Sequence, residues 1–128
     1  ATLMLGLSSG WALEVERGPD WLFVRPIAPP EGEGDGCSLA ESVWSVVKQH
    51  FVYRVVLECG HWERLSSGFV AQLVGLQRRL QKKEGTLRLC GLSDENQQVL
   101  KSCQLDGVFP QFRNRSQAVL AHRPVQPR

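Results

Sequence analysis

The chain has 128 residues, the size of one ordinary domain. Apolar residues make up 42% and charged residues 22%, a balance that excludes a disordered or fibrous chain. A net charge of +2 is too small to point to nucleic acid, and no apolar run approaches the ~20 residues of a bilayer span. The charge is unevenly spread: residues 1–63 hold four basic and nine acidic groups, residues 64–128 eleven and four. Acidic surface is therefore expected on the first half and basic surface on the second.

The start, Ala1 to Leu7, is mildly apolar without a basic stretch, so no signal peptide is expected. Leu13-Glu14-Val15-Glu16-Arg17 alternates apolar and charged residues and predicts a strand with one wet face. Gly18-Pro19-Asp20 is a turn signal, and Trp21 to Arg25 predicts the second strand of an opening hairpin. Pro26 is expected to end it, because proline cannot donate to a ladder. Residues 26–37, rich in Pro, Gly and acid, predict a flexible surface loop.

Ser38 with Glu41 has the spacing of a capping box, and Leu39, Val43, Val46 and Val47 predict an amphipathic helix to about His50. Tyr53 to Cys59 is β-branched and nearly all apolar, the pattern of a strand covered on both faces. After a turn through Gly60, Phe69, Leu73, Leu76 and Leu80 recur at helical spacing. Arg78, Arg79, Lys82 and Lys83 lie near the C-terminal end of that helix, where the dipole favours cations, and Gly85 is its expected stop. Thr86 to Leu92 predicts a strand, Ser93 caps a helix reaching Cys103, Val108 to Phe112 predicts a short edge strand, and Ser116 to Ala121 a last helix. The Pro-rich tail from Arg123 is expected to be loose.

Strand–helix–strand units favour parallel pairing. The expected fold is a single α/β domain over residues 1–128 with its core at about 11–122. It has a mixed four- to five-stranded sheet, an opening hairpin and about four helices packed mainly on one face. Cys37, Cys59, Cys90 and Cys103 are widely spaced, and a chain of this length builds a core without staples. Reduced thiols in a cytoplasmic protein are expected.

Chemistry-bearing patterns are sparse. Cys59, His61 and Glu63 suggest a thiol or metal pair, yet no second ligand cluster has zinc spacing, so strand-end packing is the plainer reading. No phosphate loop or catalytic triad order stands out, and neither cofactor nor metal nor enzymatic activity is expected. Ser66 reads as an N-cap, as a phosphorylation site or as a docking contact. Trp62 reads as a core residue or an exposed anchor. The basic run and the acidic loop from Glu31 to Asp35 read as solvated surface, with partner contacts as the alternative.

Three segments in register resemble one known family. They are Val55-Val56-Leu57 followed by Leu65-Ser66-Ser67-Gly68-Phe69, then Gly85 to Ser93, then Leu105-Asp106-Gly107-Val108-Phe109-Pro110. This pattern is similar to that of STAS domains, the anti-sigma factor antagonist-like modules of bacteria and of anion-transporter tails. The resemblance covers residues ~51–121; Ser8-Ser9-Gly10 is a spurious second copy of the serine motif.

The resemblance implies a non-catalytic switch that binds a protein partner. That partner is an anti-sigma factor that is also a serine kinase of ATPase fold, and the phosphorylated residue would be Ser66. An accessory role beside a membrane ABC transporter ATPase is the alternative. Partner contacts are then expected at Trp62, Arg64, Leu65, Ser66, Ser67 and Gly68, with Pro29, Pro30 and Glu31 from the loop. Two positions depart from the family pattern. Leu65 stands where the family has an aspartate before the serine, and Arg25 to Pro30 with the acidic loop replace its acidic motif after the second strand.

Overall fold

Alternation in the first predicted hairpin becomes burial alternation in space. In the computed structural model, which describes residues 2–6, 12–27, 39–60, 65 and 67–120, Leu13 and Val15 are buried while Glu14 and Glu16 point to the other face. They lie on β2 (Ala12–Arg17), antiparallel to β3 (Leu22–Ile27). Pro26 does not end that strand; it pairs with Leu13 inside it. The parallel ladder between β3 and the next strand stops at Val24, so beyond it β3 has one neighbour instead of two and tolerates a missing donor.

A strand the sequence did not announce precedes the hairpin. β1 (Thr2–Gly6) runs antiparallel to β2, with Leu5 opposite Leu13. Its residues are apolar without alternation, and Leu3 and Met4 stay 47% and 57% exposed. Only the pairing reveals it.

From β3 onward the chain is a run of parallel units. α1 (Leu39–His50) leads to β4 (Arg54–Glu58), α2 (Ser67–Lys82) to β5 (Thr86–Cys90), and α3 (Asp94–Ser102) to β6 (Gln111–Phe112). Strand order in the sheet follows chain order, so the mixed sheet has six strands, more than the four or five expected. Each crossover steps the same way across the sheet, and connections of one hand put their helices on one face. Accordingly α1, α2 and α3 bury Val43, Val47, Leu73, Leu76 and Leu100 against Val24, Val55, Leu57 and Leu89. The last helix, α4 (Arg115–Leu120), covers the other face, where Trp21, Val56, Cys90 and Ala118 form a second, smaller core. β4 is thus covered on both faces, as its composition predicted.

Element ends follow local chemistry. Ser93 caps α3, its Oγ accepting from the Asn96 N–H at 3.2 Å. Asn114 caps α4 through the Gln117 N–H at 2.9 Å, while Gln117 Oε1 accepts from the Arg113 N–H at 3.0 Å. α2 ends at Lys82. There Glu84, not Gly85, takes the left-handed conformation (φ 58°), and the Gly85 N–H returns to the Leu80 carbonyl at 2.8 Å. The predicted edge strand shortens to two residues, because Val108 and Phe109 turn back to donate to the Leu105 carbonyl and Phe109 is fully buried. Among the described residues, no helix is long and apolar enough to cross a membrane. The Ser38 cap, most of the loop over 26–37 and the tail lie outside the described residues.

Candidate functional site at the mouth of α2

The serine motif follows β4 and opens α2, at the C-terminal end of the parallel strands. The connection is held at its base by backbone contacts. The Cys59 N–H donates to the Cys90 carbonyl at 2.8 Å, continuing the ladder one residue past β4. Gly91 has φ +79°, and a Cβ there would stand 3.4 Å from the Gly60 nitrogen. The β4–α2 and β5–α3 connections therefore touch.

Leu65 is 4% exposed, and its N–H donates to Asn96 Oδ1 at 2.9 Å. Ser67 begins α2 and is exposed, Gly68 is half-buried, and Phe69 is 5% exposed in the core. No acidic residue occupies the first turn of α2. A 16-residue helix thus presents the positive end of its dipole with no carboxylate in that turn to neutralise it, an environment that favours an incoming anion.

Of the residues expected to face a partner, only Leu65, Ser67 and Gly68 are described. Trp62, Arg64, Ser66, Pro29, Pro30 and Glu31 lie outside the described residues, as does His61. Leu65 departs from expectation: its apolar side chain belongs to the core and is withdrawn from the surface. Ser67 is exposed at the first position of α2.

Cys59 is 1% exposed and its thiol donates to the Leu57 carbonyl at 3.4 Å. Burial pushes that thiol well above its ordinary value of 9.0, with Cys90 and Glu58 adding to the effect. A protonated, sequestered thiol is the opposite of an activated nucleophile. Among the described residues, no group of three His, Cys, Asp or Glu side chains is placed to hold a metal ion.

Two features escaped the sequence reading. Asn96 is fully buried and links α3 to the α2 mouth. Its only sequence signal was a polar residue on the apolar side of a short helix. Beside it lies an open groove of ≈ 510 Å³, lined by Gly91, Leu92, Asp94, Gln97, Phe112, Arg113 and Gln117. Those residues come from three elements and no local pattern joins them. The basic run lies at the far end of α2, ~1.5 Å per residue away from the mouth. There Arg79 pairs with Glu41 and covers the Trp44 ring at 5.9 Å, while Arg78, Lys82 and Lys83 are exposed.

The family model for the STAS domain matches residues 37–118. Among solved structures, the chain is similar to an anti-sigma factor antagonist from Mycobacterium paratuberculosis, with TM-score 0.72 and 18% identity over 94% of this chain and 100% of that one. It is also similar to an anti-sigma-factor antagonist (STAS) domain protein from Planctomyces limnophilus, with TM-score 0.59 and 18% identity over 85% and 96% of the two chains. A third neighbour is the Bacillus cell fate determinant SpoIIAA in its phosphorylated form, with TM-score 0.60 and 14% identity over 87% and 99%. Among curated proteins, none matches the chain by sequence.

Proposed function

The chain belongs to the STAS domain family, and from that premise we propose that it is a regulatory module that binds a protein partner through the mouth of α2. The observation that carries this reading is the exposed start of α2 at Ser67, with no acid in its first turn, on a connection pinned by Leu65 and Asn96. A helix start with no acid in its first turn is suited to docking. Added phosphate is accommodated there by the helix dipole, so it alters the surface without unfolding the domain.

Ser66, the residue before α2 in the sequence, is the proposed phosphorylation site, and a serine kinase of ATPase fold that also restrains a sigma factor is the proposed partner. One structural neighbour was solved in its phosphorylated form, which supports this choice. The complex forms with the bare hydroxyl and is broken by phosphate through charge and bulk. The surface reads as a binding surface and not as a catalytic one, since the nearby thiol is buried and protonated.

Mass spectrometry of the protein from its native cell, with pull-downs of wild type, Ser66→Ala and Ser66→Asp, tests the reading. Wild type and Ser66→Ala are expected to retain the partner and Ser66→Asp to lose it. Equal recovery of the same partners by all three ends the switch. Recovery of a transporter ATPase in place of a kinase reassigns the partner and keeps the docking surface.

A further inference from the structure

Asn96 is the one polar or charged side chain among the described residues that is wholly buried, at 0% exposure. A carboxamide in such a place is costly unless its hydrogen-bonding groups are used. Its use is specific. Asn96 is the third residue of α3, its backbone N–H is held by the Ser93 Oγ at 3.2 Å, and its Oδ1 receives the Leu65 N–H at 2.9 Å. One residue therefore spans the cap of α3 and the backbone that enters α2. Leu65 has no polar side-chain atom of its own with which to brace that turn, so the brace comes from the neighbouring helix. The approach of Gly91 to Gly60 supports the same seam from below.

We propose that Asn96 is a positioning residue that couples the mouth of α2 to the first turn of α3, so that the two form one surface with two connected ends. A charge placed beside Ser67 is felt at Asp94 to Gln97, two of which line the groove next to α3, and contact with that turn is felt back at the mouth of α2. This rests on the proposed function and extends its regulation: the state of the serine motif reaches the exposed first turn of α3, where Ser93, Asp94 and Glu95 face solvent. Apolar contact alone would not carry such a signal with the same directionality. A hydrogen bond between a helix turn and a peptide N–H has a narrow geometric range.

Amide hydrogen exchange and heteronuclear spectra of the whole chain provide the test, and no partner is needed. Asn96→Leu is expected to speed exchange at the Leu65 amide by about 10- to 100-fold, with β4 and β5 amides as the reference for global stability. Should Asn96→Leu fail to fold, Ser93→Ala carries the test alone. Ser93 is exposed and does not donate to or accept from Leu65, yet loosening its cap is expected to speed Leu65 exchange several-fold through Asn96. Ser66→Asp is expected to shift the amides of Asp94 to Gln97 in wild type and to leave them unmoved in Asn96→Leu. A Leu65 amide that stays fully protected in Ser93→Ala, or Ser66→Asp shifts confined to α2, overturns the coupling. Those outcomes leave the pull-down result intact, so failure here is distinct from failure of the switch itself.

Discussion

Gly85 lies so close against Tyr53 that a Cβ on Gly85 would stand 2.1 Å from the Tyr53 carbonyl oxygen. The contact joins the exit of α2 to the start of β4, where the Thr86 N–H donates to the same carbonyl at 2.9 Å. The sequence marked Gly85 as a helix stop for its freedom at positive φ, but Glu84 takes that conformation. What requires glycine at position 85 is the space. Gly85→Ala is expected to destabilise the fold by ~2–4 kcal/mol, because the obstacle is backbone that cannot turn aside. Gly75, in the interior of α2 with nothing within 4 Å, is the control: Gly75→Ala is expected to stabilise by ~0.5–1 kcal/mol. Urea unfolding of both variants separates the two cases.

Arg115 fastens α4 to the second face of the sheet. It pairs with Glu16 on β2 at 2.9 Å and with Glu58 at the end of β4, and its guanidinium lies 4.4 Å from the Phe23 ring centroid. Arg88 completes the attachment by donating to the Ala118 carbonyl at 2.7 Å. Arg115→Ala is expected to cost about 1 kcal/mol, since a side chain 37% exposed is screened by solvent. Amides of α4 are expected to exchange faster while those of α2 do not change. Uniform acceleration across both helices would contradict a local fastening.

The thiols divide by burial. Cys103 is exposed, whereas Cys59 and Cys90 are buried. In a Cys37→Ser background, one equivalent of a thiol reagent is expected to react with the native protein at once, and two more only on unfolding. Burial, with Glu58 adding to it, raises Cys90 from an ordinary 9.0 to about 11. The folded state therefore holds this proton after the unfolded chain has released it. Stability is fully present below about pH 9 and falls as pH rises toward about 11. Cys90→Ala is expected to flatten that decline relative to wild type in denaturant titrations across the same range.

Glu41 on α1 and Arg79 on α2 tie two helices at the surface. The Arg79 hydrogen bond, followed by its charge, holds the Glu41 carboxyl below its ordinary value of 4.5. The contribution is present above about pH 4.5 and is lost as pH falls through the lowered value. Both side chains are substantially exposed, so the effect is small and weakens with salt. A carbon-detected titration is expected to show the Glu41 carboxyl titrating at higher pH in Arg79→Gln than in wild type. An unchanged titration would mean that the pair does not persist in solution.

Much of the candidate site was legible because local patterns carry it. The helical spacing from Phe69 to Leu80 located α2, and the apolar run into Cys59 located the strand feeding it. Ser93 was legible as a cap because capping needs only one side chain and the turn that follows it. Leu65 was placed on the partner surface by its neighbours in the motif, although an apolar side chain beside a core helix gains more by burial. Asn96 falls on the apolar spacing of α3 with Val99 and Leu100, but its bond to Leu65 was not legible, since the donor it serves is 31 residues away.

The chain by itself determined its periods: two for β2, a covered run for β4, and helical spacing for α1, α2 and α3, each set by which side chains avoid water. The tertiary structure alone decided β1, whose five residues become a strand only by pairing with β2. It likewise decided the passage of β3 through Pro26, the shortening of β6, and the bond between Leu65 and Asn96. These depend on groups distant in sequence satisfying one another's hydrogen bonds, and no local pattern records such a match.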